Sequence, residues 1–494
     1  MEKTDFIYYI NMAEDLKNIS VYETSACGNK LARLNGFRKV ENTVEITVDP
    51  EKKGQKIEGF GGSFTQSSAW LFSKLGKANQ KKVTEAYFGA SGARYSMTRT
   101  HMASCDFSLY NYTYAPVKGD KALRHFSIEE DQKYLIPMIK AAQAVSEDGF
   151  KIISSPWTAP PWMKDNNSWC GGKLRPEYHS TWAAFFSRYL KAYQKEGIPV
   201  WGITVNNEPL GNDSNWESMH FTPQEMNHFV AEYLGPELKE KFPKLNILGF
   251  DQNRGDELRD WADAMFGDKK AAKYYDGTAV HWYGSTYEVF PENLNYVRNK
   301  SPEKLIIQTE ACIDAQVPVW QDDAWYWSKK ATDWGYEWAP EENRHLHPKY
   351  VPAFRYARDM IGCLNSGVHG WIDWNMILDR QGGPNWAKNW CIAPVIADIE
   401  NDEVYFTPLF YVITHFSRFI RPGAVRLDCT ISTGSITEVA AAENPDGSVA
   451  VVLFNPDSKS RNIKLHIRGK KVDLSIKKKA LQTVIIPKNQ IFNS

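Results

Sequence analysis

Two glutamates stand at the ends of strand-like runs: Glu208 in VWGITVNNEPLG (200–211) and Glu310 in LIIQTEAC (305–312), 102 residues apart. An unpaired ionised carboxylate in an apolar site costs several kcal/mol or shifts its pKa instead. A buried strand that runs into Asn207-Glu208-Pro209 therefore either turns into solvent, as Asn and Pro at strand ends commonly signal, or delivers polar groups to a site. Two carboxyl groups facing each other across a cleft are what cleavage of a glycosidic bond requires. One donates a proton to the leaving oxygen, and the other attacks the anomeric carbon or activates water. An aromatic, partly dry wall would help to keep one carboxyl protonated while hydrogen bonds hold its partner ionised. Asn207 would then be placed to hydrogen-bond a sugar 2-hydroxyl.

Other strand-like runs end in the same way. One passes through Arg99, with Asp106 soon after in HMASCDFS; SSPWTAPPW (154–162) places Trp157 at its mouth. Further runs end at His281-Trp282-Tyr283, at Gln308-Thr309-Glu310 and at Asp373-Trp374-Asn375. Any one of these reads first as a structural residue. Their recurrence points to a shared polar face, because each carries a desolvation cost if buried.

The elements that would hold these ends alternate along the chain. Strand-like runs at 57–64, 93–100, 151–157, 200–206, 246–250, 278–283, 304–309 and 368–374 are followed by helical segments near 78–88, 129–146, 179–196, 222–240, 256–266, 289–299, 352–365 and 408–420. Eight strand–helix pairs predict an α/β fold, a (β/α)8 TIM barrel, whose chemistry sits at the C-terminal ends of its strands. The GFGG at 59–62 lacks the spacing of a phosphate-binding loop. After residue 424 the helical period stops, and alternating runs such as VAVVLF (449–454) and IKLHI (463–467) lie between NPDG and NPDS turns. They predict a side β-sandwich domain, which strands within residues 18–50 are expected to join. The expected division is 1–54 for the N-terminal strands, 55–423 for the catalytic barrel and 424–494 for the sandwich.

Composition narrows the class. The 494 residues carry 59 Lys+Arg against 59 Asp+Glu, which removes the electrostatic case for nucleic acid as a main partner. Trp 18, Tyr 24 and Phe 24 form 13% of the chain; most of these must fill a large core, and some suit flat apolar sugar faces. Seven scattered cysteines show neither a disulfide framework nor metal-ligand spacing, and His345 with His347 reads as surface, so no metal and no organic cofactor is expected. The apolar run at 6–10 is too short for an ordinary signal peptide, and no stretch could span a bilayer. A cytoplasmic location is the expectation, or a secreted one for a processed mature form. The basic edge IKLHIRGKKVDLSIKKK (463–479) reads as protection against strand pairing rather than as a lipid site.

Eight stretches in barrel order carry a resemblance: EGFGGSFTQSSA (58–69), RTHMASCDFSLYNYTYA (99–115), SPWTAPPWMK (155–164), VWGITVNNEP (200–209), VHWY (280–283), QTEAC (308–312), GWIDWNMILDRQGGPNWAKN (370–389) and PLFYVITHFSRFI (408–420). With them the chain resembles the glucosylceramidase group of glycoside hydrolase family 30. The resemblance implies a retaining β-glycosidase with Glu208 as acid/base and Glu310 as nucleophile. It implies that Arg99, Asp106, Trp157, Asn207, His281, Tyr283 and Trp374 bind the sugar or orient the two carboxyls. One segment departs from the group: the stretch after Glu310 is long and carries Trp320, Trp325, Trp327, Trp334 and Trp338. A long loop of this kind is usually functional; it would wall the aglycone side of the cleft, or else pack on neighbouring loops or make an oligomer contact, and it leaves the aglycone open. An exo-acting β-glucosidase active on a glycolipid or oligosaccharide β-glucoside is the first expectation, because MASCDFS and GGPNW follow the glucosylceramidase group. An endo-β-1,6-glucanase or a β-xylosidase is the alternative within the same chemistry. A non-catalytic carbohydrate-binding protein is the alternative of another class, and the presence of both glutamates in their motifs speaks against it.

Overall fold

The structure is a computed structural model that describes residues 9–10, 18–26, 28–38, 40, 42–285, 288–314 and 352–491. The Trp-rich segment and the His345/His347 pair lie outside the described residues. The chain forms two compact units. One comprises the described residues of Phe60–Trp320 and Val368–Tyr405; the other gathers those of Met1–Gly59, Gln321–Gly367 and Phe406–Ser494.

The first unit is built on eight strands: β1 (Gly59–Phe64), β2 (Met97–Met102), β3 (Lys151–Pro156), β4 (Gly202–Thr204), β5 (Asn246–Asn253), β6 (Gly277–His281), β7 (Leu305–Glu310) and β8 (Gly370–Asp373). They pair in chain order and close, β8 against β1, into a barrel. The pairings are parallel, as in Ser63 opposite Arg99 and Leu248 opposite Thr204. The expected (β/α)8 TIM barrel is therefore present, with β4 shorter than the run 200–206 suggested. Trp201 and Val205 lie just outside the strand and are tied through backbone bonds to Ile152 and Leu248.

The barrel is filled rather than hollow. Met97, Ile153, Leu248, Ala279, Ile307 and Ile372, one from each of six strands, form a buried apolar layer. This layered filling is how a small barrel excludes water from its axis. The GFGG run has a packing reason: a Cβ on Gly61 would lie 2.0 Å from the Met97 carbonyl oxygen, so only glycine lets β1 approach β2.

Helix starts follow local chemistry. Thr65 caps Gln66–Lys74 by accepting from Ser68 N, and Thr222 with Glu225 forms a full capping box ahead of Pro223. The single helix expected over 222–240 is interrupted. It runs as Pro223–Phe229, a π turn over Val230–Leu234, and then Gly235–Lys241. Pro236 has no N–H to continue the i→i−4 ladder, and a Cβ at Gly235 would lie 2.3 Å from the Tyr274 ring, so the sequence there favours packing over helix regularity.

The second unit is a nine-stranded sheet. Its strand order is Lys470–Ile476, Arg461–Ile467, Thr43–Lys56, Val425–Ile431, Glu438–Glu443, Val449–Asn455, Ala480–Ile486, Ser20–Ser25 and Ala32–Leu34. Both chain termini thus contribute strands to one β-domain, as expected. Side chains from both halves of that order, including Val21, Ile46, Val451, Leu465, Leu474 and Val484, share one apolar core. The alternation of Arg461–Ile467 puts Ile463, Leu465 and Ile467 inward and leaves Lys464 partly exposed beside Glu45. Helices Pro352–Asn365 and Pro408–Ser417 belong to this unit; His415 on the second is buried between Thr24 and Thr483, and burial lowers its pKa to about 3. Among the described residues, no helix is long and apolar enough to cross a membrane.

Candidate active site

Arg99, the third of the six residues of β2, is the hub of the site. Its guanidinium is fully buried and donates to Glu310 on β7, to Asn207 Oδ1 (2.7 Å) after β4, and to Asp251 Oδ2 (2.8 Å) on β5, while Nε donates to Ser155 Oγ (3.1 Å) on β3. Trp157 and Trp374 are stacked on each other at 5.2 Å and flank the same guanidinium, 4.9 and 5.6 Å from its carbon. Both rings are buried, so they fix Arg99 rather than offer an open platform. The planar fork suits this task, because it meets several oxygens at once with little freedom left to lose.

His281 ends β6 with one ring nitrogen on each neighbouring carboxylate: Nδ1 donates to Glu208 Oε1 at 3.1 Å, and Nε2 donates to Asp251 Oδ1 at 3.0 Å. Burial pulls its pKa down, but the carboxylates of Glu310 and Asp251 outweigh it and lift the value to about 9, so it is an imidazolium at neutral pH. Burial raises the Glu310 carboxyl above its ordinary value, while His281 and Arg99 pull against that rise. Tyr283 donates its hydroxyl to Glu310 Oε1 at 3.0 Å. One oxygen each of Glu208 and Glu310 and one nitrogen of His281 all lie within 4.8 Å of one another. That triad has the spacing of a metal site, yet a cation there would meet the imidazolium of His281 and the guanidinium of Arg99.

Asp106 precedes Phe107, whose ring meets Trp374 edge-on at 6.0 Å. Its Oδ2 accepts from Asn389 Nδ2 at 3.1 Å, and its buried Oδ1 has no hydrogen-bond partner. Burial and the nearby Glu310 raise its pKa well above the usual range. A buried carboxyl oxygen without a partner is a ready partner for a hydroxyl from outside the protein.

All nine residues selected from the sequence meet at one end of the barrel. Asp251 was missed. It binds Arg99, His281, Thr309 Oγ1 (2.6 Å) and Thr204 Oγ1 (2.7 Å), and its carbonyl accepts the Glu208 N–H at 2.9 Å. The β5–β6 register slips between Phe250 and Gln252, and Phe250, Asp251 and Glu208 all have positive φ (69°, 52° and 46°). Such a bulge re-aims side chains, and the strain it stores is concentrated beside both glutamates. Burial would raise the Asp251 pKa, but Arg99 and His281 hold it well below the usual carboxylate range. Its signal was present in ILGFDQN (247–253), another apolar run ending on polar groups. Asn389 was also missed, although it lies within the GWIDWNMILDRQGGPNWAKN stretch.

The glycosyl hydrolase family 30 TIM-barrel domain matches residues 57–420, and the glycosyl hydrolase family 30 beta sandwich domain matches 423–484. The chain belongs to glycosyl hydrolase family 30. This family 30 chain is 35% identical over 487 residues to putative glucosylceramidase 3 of Caenorhabditis elegans, covering 95% of this chain and 88% of that one. It is 34% identical over 455 residues to the lysosomal acid glucosylceramidase of Mus musculus, covering 90% and 84%. Among solved structures, the endo-beta1,6-glucanase BT3312 superposes with a TM-score of 0.82 at 27% identity, covering 96% of this chain and all of that one. The protein is thus a glycoside hydrolase.

Arg99→Lys tests the hub of the family 30 site. Lysine cannot fork, so at least two buried acceptors lose their donor. Chemical denaturation is expected to show a loss of roughly 3–5 kcal/mol, the scale of a broken buried ion pair. Unchanged stability would mean that Arg99 is not what holds the strand ends together.

Proposed function

We propose that this family 30 enzyme is a retaining, exo-acting β-glucosidase of the glucosylceramidase type, with Glu310 as nucleophile and Glu208 as acid/base. The observation that carries this reading is the approach of the two glutamates within 4.8 Å, oxygen to oxygen. Retaining pairs stand about 5–5.5 Å apart, whereas inverting pairs need roughly 6.5–9.5 Å to admit a water.

In this reading Glu310 attacks the anomeric carbon while Glu208 protonates the departing oxygen. A covalent glycosyl-enzyme forms, and Glu208 then takes a proton from water as that water displaces Glu310. Arg99 and the Tyr283 hydroxyl hold the nucleophile's two oxygens, leaving its attack direction defined. Asp106 Oδ1 accepts a hydroxyl of the non-reducing sugar, and Asn207 Oδ1 is held by Arg99 so that its amide N–H2 can reach the 2-hydroxyl. Glucosylceramidase relatives at about 35% identity favour a β-glucoside with a glycolipid or small aglycone. The endo-β-1,6-glucanase likeness supports the second reading, an endo enzyme with the same chemistry.

The test offers an aryl β-glucoside, glucosylceramide, β-1,6-glucan and an aryl β-xyloside, and follows the first product's anomer by NMR. Release of β-glucose from the first two supports the full reading. Release of β-linked oligomers from β-1,6-glucan alone would replace the exo assignment, and an α-anomer as first product would overturn the retaining mechanism.

A further inference from the structure

Cys312 and Cys391 are 79 positions apart in the chain, yet their sulfurs lie 2.9 Å from each other. Both side chains are buried. Cys391 lies within, and Cys312 immediately before, a short antiparallel pairing in which Ile313 lies opposite Ile392 and Asp314 opposite Cys391, so the two cysteines sit diagonally on one face. Cys312 is also the second residue after Glu310, and the Tyr283 hydroxyl that binds Glu310 Oε1 at 3.0 Å lies 3.3 Å from the Cys312 sulfur. A single hydroxyl thus stands between the nucleophile of the proposed mechanism and a pair of thiols.

We propose that Cys312 and Cys391 form an oxidisable dithiol whose conversion to a disulfide slows the enzyme through Tyr283 and Glu310. The oxidant is a hydroperoxide. One sulfur attacks the peroxide oxygen, releasing an alcohol or water and leaving a sulfenic acid. The second sulfur displaces water from it, so two thiols and one hydroperoxide give one disulfide, one alcohol and one water. Closing the sulfur pair from 2.9 Å to about 2.05 Å requires little movement. The backbone of Cys312 is pinned by Trp282 Nε1, which donates to its carbonyl at 3.0 Å, so the shift falls on the side chain. Drawing that sulfur towards Cys391 removes a neighbour of the Tyr283 hydroxyl and changes the hydrogen bond to Glu310. Tyr283 is half-buried, which places the dithiol one side chain behind the reacting cleft, within reach of an oxidant much smaller than a sugar.

The activity arm rests on the glycosidase reading; the cross-link arm does not. The full chain is treated with hydrogen peroxide, then analysed by intact mass and by unreduced peptide mapping. The expected result is a loss of about 2 Da, a Cys312–Cys391 cross-linked peptide, and a fall of roughly tenfold in kcat/KM on an aryl β-glucoside, the scale of altering one hydrogen bond to a charged group. Dithiothreitol should restore both. Cys391→Val, similar in volume, should keep the untreated rate and lose the reversible inactivation. The proposal is overturned if other cysteines oxidise while no Cys312–Cys391 link forms, if the linked protein is fully active, or if Cys391→Val is inactivated and rescued like the wild type. An untreated protein that cleaves no glycoside would remove the glycosidase reading, with the cross-link still read by mass.

Discussion

Glu310→Gly is expected to lose roughly 100,000-fold in kcat on an aryl β-glucoside and to regain turnover when azide is added, releasing α-glucosyl azide. The glycine leaves a hole where the carboxylate stood, and a small anion there attacks the anomeric carbon from the same side. The Arg99 guanidinium, which donates to Glu310 in the intact site, remains to hold that anion. Glu208→Ala is expected to behave differently. An aryl leaving group departs without a proton, so the glycosyl-enzyme still forms and accumulates; azide then displaces Glu310 and gives β-glucosyl azide. Product stereochemistry by NMR separates the two roles. If both variants gave the same anomer, the assignment of nucleophile and acid/base would be wrong, and if both matched the wild type, neither glutamate would be catalytic.

The second large effect belongs to Asp251, which touches no position where substrate is expected yet binds the groups around both glutamates. Asp251→Asn keeps the shape and removes the charge shared by Arg99 and His281. We expect a loss of roughly 100-fold in kcat/KM, the scale of a misplaced catalytic group. The same change takes one of the two carboxylates that lift His281 to about 9, so the alkaline limb of the pH profile should move towards neutral pH. His281 has a raised folded pKa, so its contribution to stability is full below its ordinary 6.5 and is lost as pH rises through about 9. Asp251 has a depressed one, so its contribution is present above its ordinary 3.8 and is lost as pH falls through the lower folded value. A variant that lost stability while keeping the wild-type pH profile would show Asp251 to be structural only.

What the sequence alone determined was the periodic framework and the chemistry at its strand ends. Apolar runs alternating with helical segments are a local property, and burial makes them legible; so is an apolar run that stops on NNEP or QTEA, because several strands ending on costly groups at once point to a shared polar face. The strand-end residues, among which the family resemblance singles out nine, meet because strands of a closed parallel barrel all point their C-terminal ends one way. The β-domain shared by the two termini was also legible, since the strands of residues 18–50 had no place in the barrel.

Tertiary structure decided what depends on exact register and on distance across the chain. The bulge at Phe250–Gln252 turns Asp251 inward, and no local propensity encodes a slip against a neighbouring strand. Trp157 and Trp374, which suited a sugar face by type alone, are buried clamps on Arg99 because both rings are stacked on that guanidinium. Cys312 and Cys391 showed no motif spacing, yet pairing of the segments after β7 and β8 brings their sulfurs together. The approach of Glu208 and Glu310 to within 4.8 Å, on which the stereochemical reading rests, depends on barrel closure and on the Arg99–His281–Asp251 network, neither of which exists until distant strands have paired.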